Sequence, residues 1–146
     1  MASDGDLDSQ LMSALRERGY RVTAPRLLVH RAVRRSDAHL TAEQVHSALA
    51  PSLPSLSSAT VYATLDLLDE LGFVRRISSP GGTAVYDPRL DPHHHVFCRS
   101  CEAITDLDAP VRDAAARRVA ERDGFKVDHA ELQLSGLCRS CANATR

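Results

Sequence analysis

Cys98-Arg99-Ser100-Cys101 recurs letter for letter as Cys138-Arg139-Ser140-Cys141, in a chain of 146 residues that has no other cysteine. Two cysteines with two residues between them can both reach one ion at about 2.3 Å, and four thiolates suit a structural zinc with tetrahedral geometry. The two matched pairs use every cysteine of the chain. The repeat therefore predicts that the second half of the chain folds around one zinc ion.

Other uses of the cysteines agree less well with the sequence. Disulfides need an oxidising compartment, and because no apolar signal stretch follows Met1, we expect a cytoplasmic protein with reduced thiols. A thioredoxin-like redox centre would use one such cysteine pair and leave the second unexplained. The same four sulfurs could instead bind an iron–sulfur cluster, so this alternative stays open beside zinc.

The composition is that of a globular protein with an uneven charge distribution. Hydrophobic residues make up 43% of the chain, but no apolar run is long enough to span a bilayer, so we expect no membrane partner. The net charge is −1, yet arginines outnumber the single acid, Glu17, between positions 16 and 35. Such a patch is typical of nucleic-acid binding, although a solvated helix face can look the same. The arginines are Arg16, Arg18, Arg21, Arg26, Arg31, Arg34 and Arg35.

Helix signals dominate the first half of the chain. Leucines at helical spacing predict a first helix that ends at Gly19. Thr23, whose hydroxyl can cap free amides, and Pro25 in the first turn predict the start of a second helix. The spacing of Thr41 and Gln44 predicts a capping box that opens a third helix. These three helices precede the segment that we expect to bind a partner.

A fourth helix and a hairpin complete the first module. Ser57 or Ser58 caps the predicted helix, which ends at Gly72. Strand-like runs at 73–77 and 83–86 follow, joined by a turn rich in glycine and proline. Helices followed by a hairpin predict a winged helix-turn-helix, although the fourth helix could also be an ordinary core helix. The fold class is therefore predicted as α+β.

The winged-helix interpretation predicts where this module would contact DNA. The fourth helix enters the major groove with its N-terminal turns leading, and the free amides there favour phosphates. The acids of this helix lie in its later turns, away from the phosphates. The residues predicted to contact DNA are Arg21, Arg26, Ser57, Ser58, Thr60 and Tyr62.

Composition also divides the chain into modules. Residues 87–92 combine two prolines with alternating charges and are predicted to form a hinge between a DNA-binding domain, 1–86, and a small α/β domain, 93–146. Within the second domain we expect a helix at 110–123 and a strand at 125–134. Because so short a domain has a thin core, metal and a partner subunit should contribute to its stability.

A second metal site is predicted beside the hinge. In an extended run, His93 and His95 point to one side. Asp87 lies before them, Asp106 follows shortly after the first cysteine pair, and His39 belongs to the first module. Imidazoles combined with carboxylates suit iron(II), manganese(II) or zinc, and ligand type alone does not choose among them.

From about Gly19 to Cys141 the chain resembles the ferric uptake regulator (Fur) family of metal-sensing bacterial repressors. The resemblance implies a homodimer, a winged-helix DNA-binding domain, a dimerisation domain with structural zinc, and a regulatory metal at the hinge. The motifs that carry it are Arg21-Val22-Thr23-Ala24-Pro25-Arg26, Ala59-Thr60-Val61-Tyr62, His93-His94-His95 and the two cysteine pairs, Cys98 with Cys101 and Cys138 with Cys141.

The same resemblance assigns the regulatory ligands to His39, Asp87, His93, His95 and Asp106. Iron-responsive members tend to have glutamate where this chain has the two aspartates, and zinc-uptake members commonly have a cysteine near Asp87. The sequence looks most like the peroxide-sensing branch (PerR), in which a ligand histidine is oxidised, here His39 or His93. An iron-uptake or zinc-uptake repressor is the alternative.

Some positions depart from the family pattern or fall outside both sites. Many members have arginine where this chain has Ala63, so the operator preference cannot be transferred. His30 and His46, on predicted helices, are expected to be surface or packing residues. A further metal site of some members is expected to be absent or rebuilt. That site would use the positions of Pro92, His94, Asp113 and Ala130.

A zinc hydrolase or deaminase is the remote alternative. Deaminases combine a cysteine pair with a His-x-Glu motif, and His129-Ala130-Glu131 has that spacing. A catalytic zinc held by His129 and the second cysteine pair would leave Cys98 and Cys101 without a role. We therefore expect that the protein is not an enzyme.

Overall fold

The computed structural model describes residues 4–110 and 112–144. The chain forms two compact units, Met1–Leu90 and Asp91–Arg146. The division falls inside the segment 87–92 that the sequence marks as a hinge. No helix within the described ranges combines the length and the apolar character needed to cross a membrane.

The first unit consists of four helices followed by an antiparallel hairpin, the predicted order. In the hairpin Arg75 is paired with Asp87, so the second strand extends to the first residue of the predicted hinge. The elements are α1 (Asp4–Glu17), α2 (Ala24–Arg35), α3 (Ala42–Leu49), α4 (Ser58–Glu70), β1 (Arg75–Ser78) and β2 (Ala84–Asp87).

Local sequence signals explain where three of these helices begin. Thr41 and Gln44 form both bonds of the predicted capping box at the start of α3. The Ser57 hydroxyl accepts from the Thr60 backbone N–H at 3.1 Å and caps α4. Thr23 occupies the N-cap position of α2, but its side chain makes no capping bond. The predicted role of that hydroxyl is therefore wrong, and Pro25, within the first turn, remains the start signal.

The core of the first unit is aliphatic. Leu11, Val33, Val45 and Leu65, one from each helix, are fully buried in one cluster. Burial of each such side chain contributes about 1.5–3 kcal/mol relative to exposure. Tyr86 of β2 closes the cluster, and its hydroxyl donates to Asp66 on α4 at 3.0 Å. The hairpin is thereby held against α4 by both packing and a hydrogen bond.

The second unit is built on a three-stranded sheet with order β4-β3-β5, in which β3 is antiparallel to β4 and parallel to β5. Phe97 is its largest buried apolar side chain among the described residues, and α5 buries none. The elements are β3 (His94–Cys98), β4 (Ile104–Leu107), α5 (Ala114–Arg122), β5 (Gln133–Gly136) and α6 (Arg139–Ala144).

The structure corrects the predicted strand at 125–134. In this part of the chain the strand that pairs with β3 is Gln133–Gly136, and residues 125–132 form no strand. Phe125, which the sequence pattern placed at the start of that strand, is 69% exposed. Alternating hydrophobicity predicted a strand, but the Phe125 N–H instead donates to the Ala120 carbonyl at 3.0 Å, and the Val127 carbonyl accepts from Arg117 at 3.1 Å.

Candidate metal centres and nucleic-acid interface

The end of β3 places the first cysteine pair in a tight turn. The Glu102 N–H donates to the Cys98 carbonyl at 2.9 Å, and the Cys98 N–H donates to the Ala103 carbonyl at 2.9 Å. Glu102 has a φ of 60°, a left-handed conformation that non-glycine residues adopt only where the surrounding structure holds them. The turn folds Cys101 back toward Cys98.

The second pair meets the first because β5 is parallel to β3. The register pairs Cys98 with Gly136, so the chain beyond β5 arrives at the end of β3. The Cys138 N–H then donates to the Cys98 sulfur at 3.3 Å, and the Cys101 and Cys138 sulfurs are 3.8 Å apart. The sulfur of Cys141 completes the group, and all four sulfurs lie within 4.8 Å of one another.

These separations fit a single tetrahedral ion. Four sulfurs at about 2.3 Å from one zinc lie about 3.8 Å from each other, whereas the sulfurs of a disulfide are about 2.05 Å apart. A multi-iron cluster would hold the sulfurs farther apart than one ion does. Three backbone N–H groups, first that of Cys101, then those of Cys138 and Ser100, lower the pKa of Cys98 to about 6, which favours the thiolate that a metal requires.

A second group of ligands lies at the other end of β3. His93 and His95 are buried, and the β3–β4 register pairs His95 with Asp106. The Nε2 atoms of His93 and His95 lie 3.5 and 4.0 Å from one oxygen of Asp106. These distances are longer than the donor–acceptor distance of a hydrogen bond. They are close to the separation between two ligand atoms that bind one metal ion with bonds of about 2.1 Å. The three atoms therefore converge in a manner that suits one metal ion.

Hydrogen bonds at the far ring nitrogens favour this use of Nε2. The Nδ1 of His93 is 2.8 Å from the Asp91 carbonyl, and the Nδ1 of His95 is 2.8 Å from a carboxylate oxygen of Glu131. A carbonyl or an ionised carboxylate can only accept, so in the neutral form of each ring Nδ1 carries the proton and Nε2 keeps a lone pair. Glu131 is a site residue that sequence reasoning missed. Its distance of 36 residues from His95 gave no local signal.

The other two predicted ligands lie together in the first unit. His39 precedes α3, Asp87 ends β2, and the His39 Nε2 is 3.7 Å from a carboxylate oxygen of Asp87. Both side chains are nearly inaccessible to solvent. The other Asp87 oxygen accepts from the Arg89 N–H at 2.8 Å, which fixes the carboxylate. This pair also has the composition of a partial metal site.

A groove in the first unit contains three of the predicted DNA contacts. Its volume is about 850 Å³, and Arg21, Arg26 and Thr60 lie on its walls with Ala63. Arg26 stacks over the Tyr20 ring, with 5.7 Å between the guanidinium carbon and the ring centroid, and donates to the Arg21 carbonyl. The groove therefore joins the basic segment before α2 to the first turns of α4.

The remaining predicted contacts lie on the exposed face of α4. Ser57 and Ser58 are exposed, and Tyr62 is 41% exposed with its hydroxyl donating to Glu43 of α3. Two of the three acids of α4 are engaged away from this end, since Asp66 accepts from Tyr86 and Asp69 accepts from the Arg76 N–H. No acidic side chain occurs in the first turn of α4, so that end suits an anion.

The basic patch is narrower than the sequence suggested. Arg31 donates from Nε to Asp8 of α1 at 2.9 Å, which ties α1 to α2. Arg34 donates to the Pro88 carbonyl at 3.2 Å, at the end of the hairpin. Both arginines therefore hold elements of the unit together, and the cations that face the groove are Arg21 and Arg26.

The enzyme alternative and the further metal site find no support in the geometry. Under the deaminase hypothesis Glu131 would be the general acid–base, but its carboxylate contacts His95 and not the cysteine sulfurs. His94, a candidate for the further site, accepts from the Leu132 N–H at 3.1 Å, and Asp113 accepts from Arg117 at 2.5 Å. Both side chains are thus already used in structural hydrogen bonds.

Comparison with known proteins places the chain among bacterial regulators. The sequence model of the ferric uptake regulator family matches residues 17–135. The chain is 44% identical over 119 residues to ferric uptake regulation protein 1 of Mycolicibacterium fortuitum, covering 81% of this chain and 73% of the relative. It is 39% identical over 143 residues to the transcriptional regulator FurA of Mycobacterium tuberculosis, covering 97% and 94%.

Two further matches bear on the branch and on the fold. The peroxide-responsive repressor PerR of Staphylococcus epidermidis is 29% identical over 138 residues, covering 94% of this chain and 91% of the relative. That identity is lower than for the two mycobacterial relatives. The structure of the Helicobacter pylori ferric uptake regulator superposes with a TM-score of 0.84, covering 97% of this chain and 95% of that one at 18% identity, which speaks for the fold alone.

Proteins of this family regulate transcription and are not enzymes, in agreement with the sequence-based expectation. The family match spans both compact units, from within α1 to β5. The chain therefore belongs to the ferric uptake regulator family and is a metal-responsive transcriptional regulator, with an N-terminal DNA-binding domain and a C-terminal dimerisation domain.

Proposed function

We propose that the protein is a cytoplasmic repressor that binds double-stranded operator DNA as a homodimer when its regulatory site holds iron(II) or manganese(II). One observation carries the proposal: the buried Nε2 atoms of His93 and His95 converge on Asp106 at 3.5 and 4.0 Å. Buried imidazoles and a carboxylate that face one point are typical of a metal site. The four cysteines are proposed to hold a structural zinc.

The regulatory ion is proposed to recruit ligands from both units. The second unit offers His93, His95 and Asp106, and the first offers His39 and Asp87. Imidazole and carboxylate together suit iron(II) and manganese(II), and none of the five ligands is the thiolate that would favour zinc. An ion that accepts ligands from both units would favour the domain arrangement in which they meet. Metal binding would thereby select one shape of the dimer.

The first unit is proposed to bind DNA as a winged helix, with α4 in the major groove. Arg21 and Arg26, on the groove beside Thr60, suit phosphate, and the exposed Ser57, Ser58 and Tyr62 suit phosphates and base edges. In a dimer, two copies of α4 read half-sites about 34 Å apart when the metal-bound shape aligns them. Ala63 leaves apolar surface where many family members present arginine.

Surface apolar residues support a homodimer through the second unit. Val119, Phe125 and Leu134 are exposed, although each is large and hydrophobic. Among the described residues, β5 forms an outer strand of its sheet, and such an edge is protected when a second chain covers it. A second copy that covers β5 and α5 would bury this surface and supply the core that the unit otherwise lacks.

Peroxide sensing is our proposal for the trigger, supported by Asp87 and Asp106 and by the PerR relative. Iron(II) held there would cleave the O–O bond of hydrogen peroxide and would end the reaction as iron(II), so the two electrons come from the histidine that is oxidised. One oxygen atom would be added to a ligand histidine, His39 or His93, while the peroxide leaves as water. The altered ring would no longer ligate, and the protein would leave its operator. An iron-uptake repressor fits the FurA relatives equally well, and a zinc-uptake repressor is the third form.

Measuring DNA binding with each metal tests both the metal-dependent repressor and the peroxide trigger. The purified protein should bind a promoter fragment from its own genome tightly with manganese(II) or iron(II), and weakly after chelation of the regulatory metal. Low peroxide should release the iron form and leave the manganese form bound. Mass spectrometry should then find one added oxygen on the peptide that contains His39 or His93.

Two outcomes separate the alternatives. DNA binding that does not respond to either metal would refute the repressor proposal. An iron form that stays on DNA under peroxide, with both histidines unmodified, would favour the iron-uptake repressor. His46→Ala is the control, because this histidine is not among the proposed ligands and donates from Nε2 to the Leu56 carbonyl at 2.8 Å.

A further inference from the structure

We infer that Glu131 is a positioning residue for the regulatory metal, which holds the His95 ring so that its Nε2 faces the ion. The inference rests on the proposed function, because it concerns the same site. Glu131 lies outside the five ligands, and its carboxylate contacts the ring nitrogen that points away from Asp106. Its role would be to orient the imidazole and raise its strength as a ligand.

The contact is short and largely screened from water. One carboxylate oxygen of Glu131 lies 2.8 Å from the His95 Nδ1, and the His95 side chain is fully buried. An ionised carboxylate has no proton to give, so the Nδ1 donates and the ring is held in one tautomer. A carboxylate behind a metal-binding histidine also increases the basicity of the nitrogen that binds the metal.

The backbone holds Glu131 in this position. Its neighbour Leu132 accepts at its carbonyl from the His95 N–H at 3.1 Å, and donates from its N–H to the His94 ring at 3.1 Å. Two hydrogen bonds, one that Leu132 accepts and one that it donates, therefore hold residue 132 against β3. The Glu131 side chain leaves the backbone directly before this fixed point and contacts the His95 ring at 2.8 Å.

The two buried histidines differ in their supporting groups. The His93 Nδ1 faces the Asp91 carbonyl, a neutral acceptor from the same chain segment. The His95 Nδ1 faces a carboxylate that arrives from a segment 36 residues away. His95 should therefore be the stronger of the two imidazole ligands, and removal of Glu131 should weaken the site at His95 specifically.

Manganese(II) titration of the full-length, zinc-loaded protein tests the inference. Loss of a carboxylate behind a ligand histidine costs about 10–100-fold in metal affinity, so Glu131→Ala should weaken manganese binding by that factor. Glu131→Gln, whose amide oxygen still accepts a hydrogen bond, should lose less. Glu121→Ala is the matched control, since Glu121 is exposed on α5 of the same unit. Zinc content should stay equal in all three variants.

A second measurement needs no manganese. Long-range 1H–15N NMR of the neutral histidines should show His95 protonated at Nδ1 in the wild type and in Glu121→Ala, and a mixture of tautomers in Glu131→Ala. A Glu131→Ala protein with unchanged manganese affinity and an unchanged His95 tautomer would overturn the inference. If Glu131→Ala does not fold, the same two measurements on Glu131→Gln decide.

The two proposals fail in different ways. A wild type that binds no manganese(II) beyond its zinc would refute the regulatory site, and the tautomer of His95 would still decide the role of Glu131. If the wild type and Glu131→Ala bind manganese(II) equally tightly and have the same His95 tautomer, the positioning role is refuted and the repressor proposal stays intact.

Discussion

In the first unit, four helices bury leucine and valine side chains in one aliphatic cluster, whereas in the second unit neither α5 nor β5 contains a buried residue. Among the buried side chains of the second unit are Cys98, His93 and His95, each assigned above to a metal site. The difference shows two sources of stability in one chain. The first unit is stabilised by packing, and the second is proposed to depend on metal ligation and on a partner surface.

The largest expected effect comes from the removal of a zinc ligand. Cys98→Ser should abolish zinc binding and unfold the second unit, because binding at a structural zinc site contributes about 10 kcal/mol or more to folding. Amide hydrogen exchange should show loss of protection at β3 to α6 while α2 to α4 keep theirs, and metal analysis should find no zinc.

Leu65→Ala is the reciprocal control. It should cost the first unit about 2–5 kcal/mol through lost burial and a cavity, while zinc content remains at the wild-type level. A zinc-free Cys98→Ser protein whose second unit keeps normal protection would break the comparison. Loss of zinc in Leu65→Ala would also contradict it, because zinc binding would then depend on the core of the first unit.

Acid should weaken the first unit through His30. This histidine is buried edge-on against Phe73 at a centroid distance of 5.4 Å, and burial, followed by the charge of Arg34, lowers its pKa to about 4. Asp8 opposes this shift and Arg31 adds to it. Between pH 6.5 and 4 the unfolded chain binds the proton that the folded unit excludes, so stability is lost as the pH falls.

Urea denaturation at several pH values should reveal this term. The wild type should lose about 2–3 kcal/mol more than His30→Leu between pH 6.5 and 4, since each unit of pKa difference corresponds to about 1.4 kcal/mol and the proton is only half exchanged at either end of this range. The variant serves as the reference because both proteins share the acid sensitivity of the metal ligands. Parallel losses in the two proteins would show that His30 does not couple stability to pH.

The smallest predicted effect concerns helix caps within the first unit. Thr41→Ala removes the hydroxyl that accepts from the Gln44 N–H at 3.2 Å and should cost about 1 kcal/mol. Thr23→Ala should cost only a few tenths of that, because the Thr23 side chain makes no capping bond. Thermal denaturation of the two variants side by side measures the difference. Equal shifts in Tm would mean that the cap geometry does not set the stability of α3.

Sequence reasoning worked best where neighbouring residues determine structure. The capping box at Thr41 and the cap at Ser57 are local signals, and both occur as predicted. Two cysteine pairs with identical spacing likewise carried enough information to place four ligands within one group. The side-chain alternation of β3 correctly predicted that His93 and His95 share a buried face.

Prediction failed where the answer depends on distant segments. The segment 125–132 alternates in hydrophobicity like a strand, but whether it pairs depends on how β3 and α5 are placed. Thr23 has the right residue type for a cap and still makes no capping bond. The contact of Glu131 could not be predicted because its partner, His95, lies on β3, 36 residues away along the chain.

The zinc site also acts on the unfolded chain. Cys101 and Cys138 are 37 residues apart, so an ion that binds both closes a loop that contains β4, α5 and β5. If the loop entropy of a disulfide applies, closing a loop of this length restricts the unfolded ensemble by about 4 kcal/mol. A sparse core can then suffice, since the conformations available to the unfolded loop are already few.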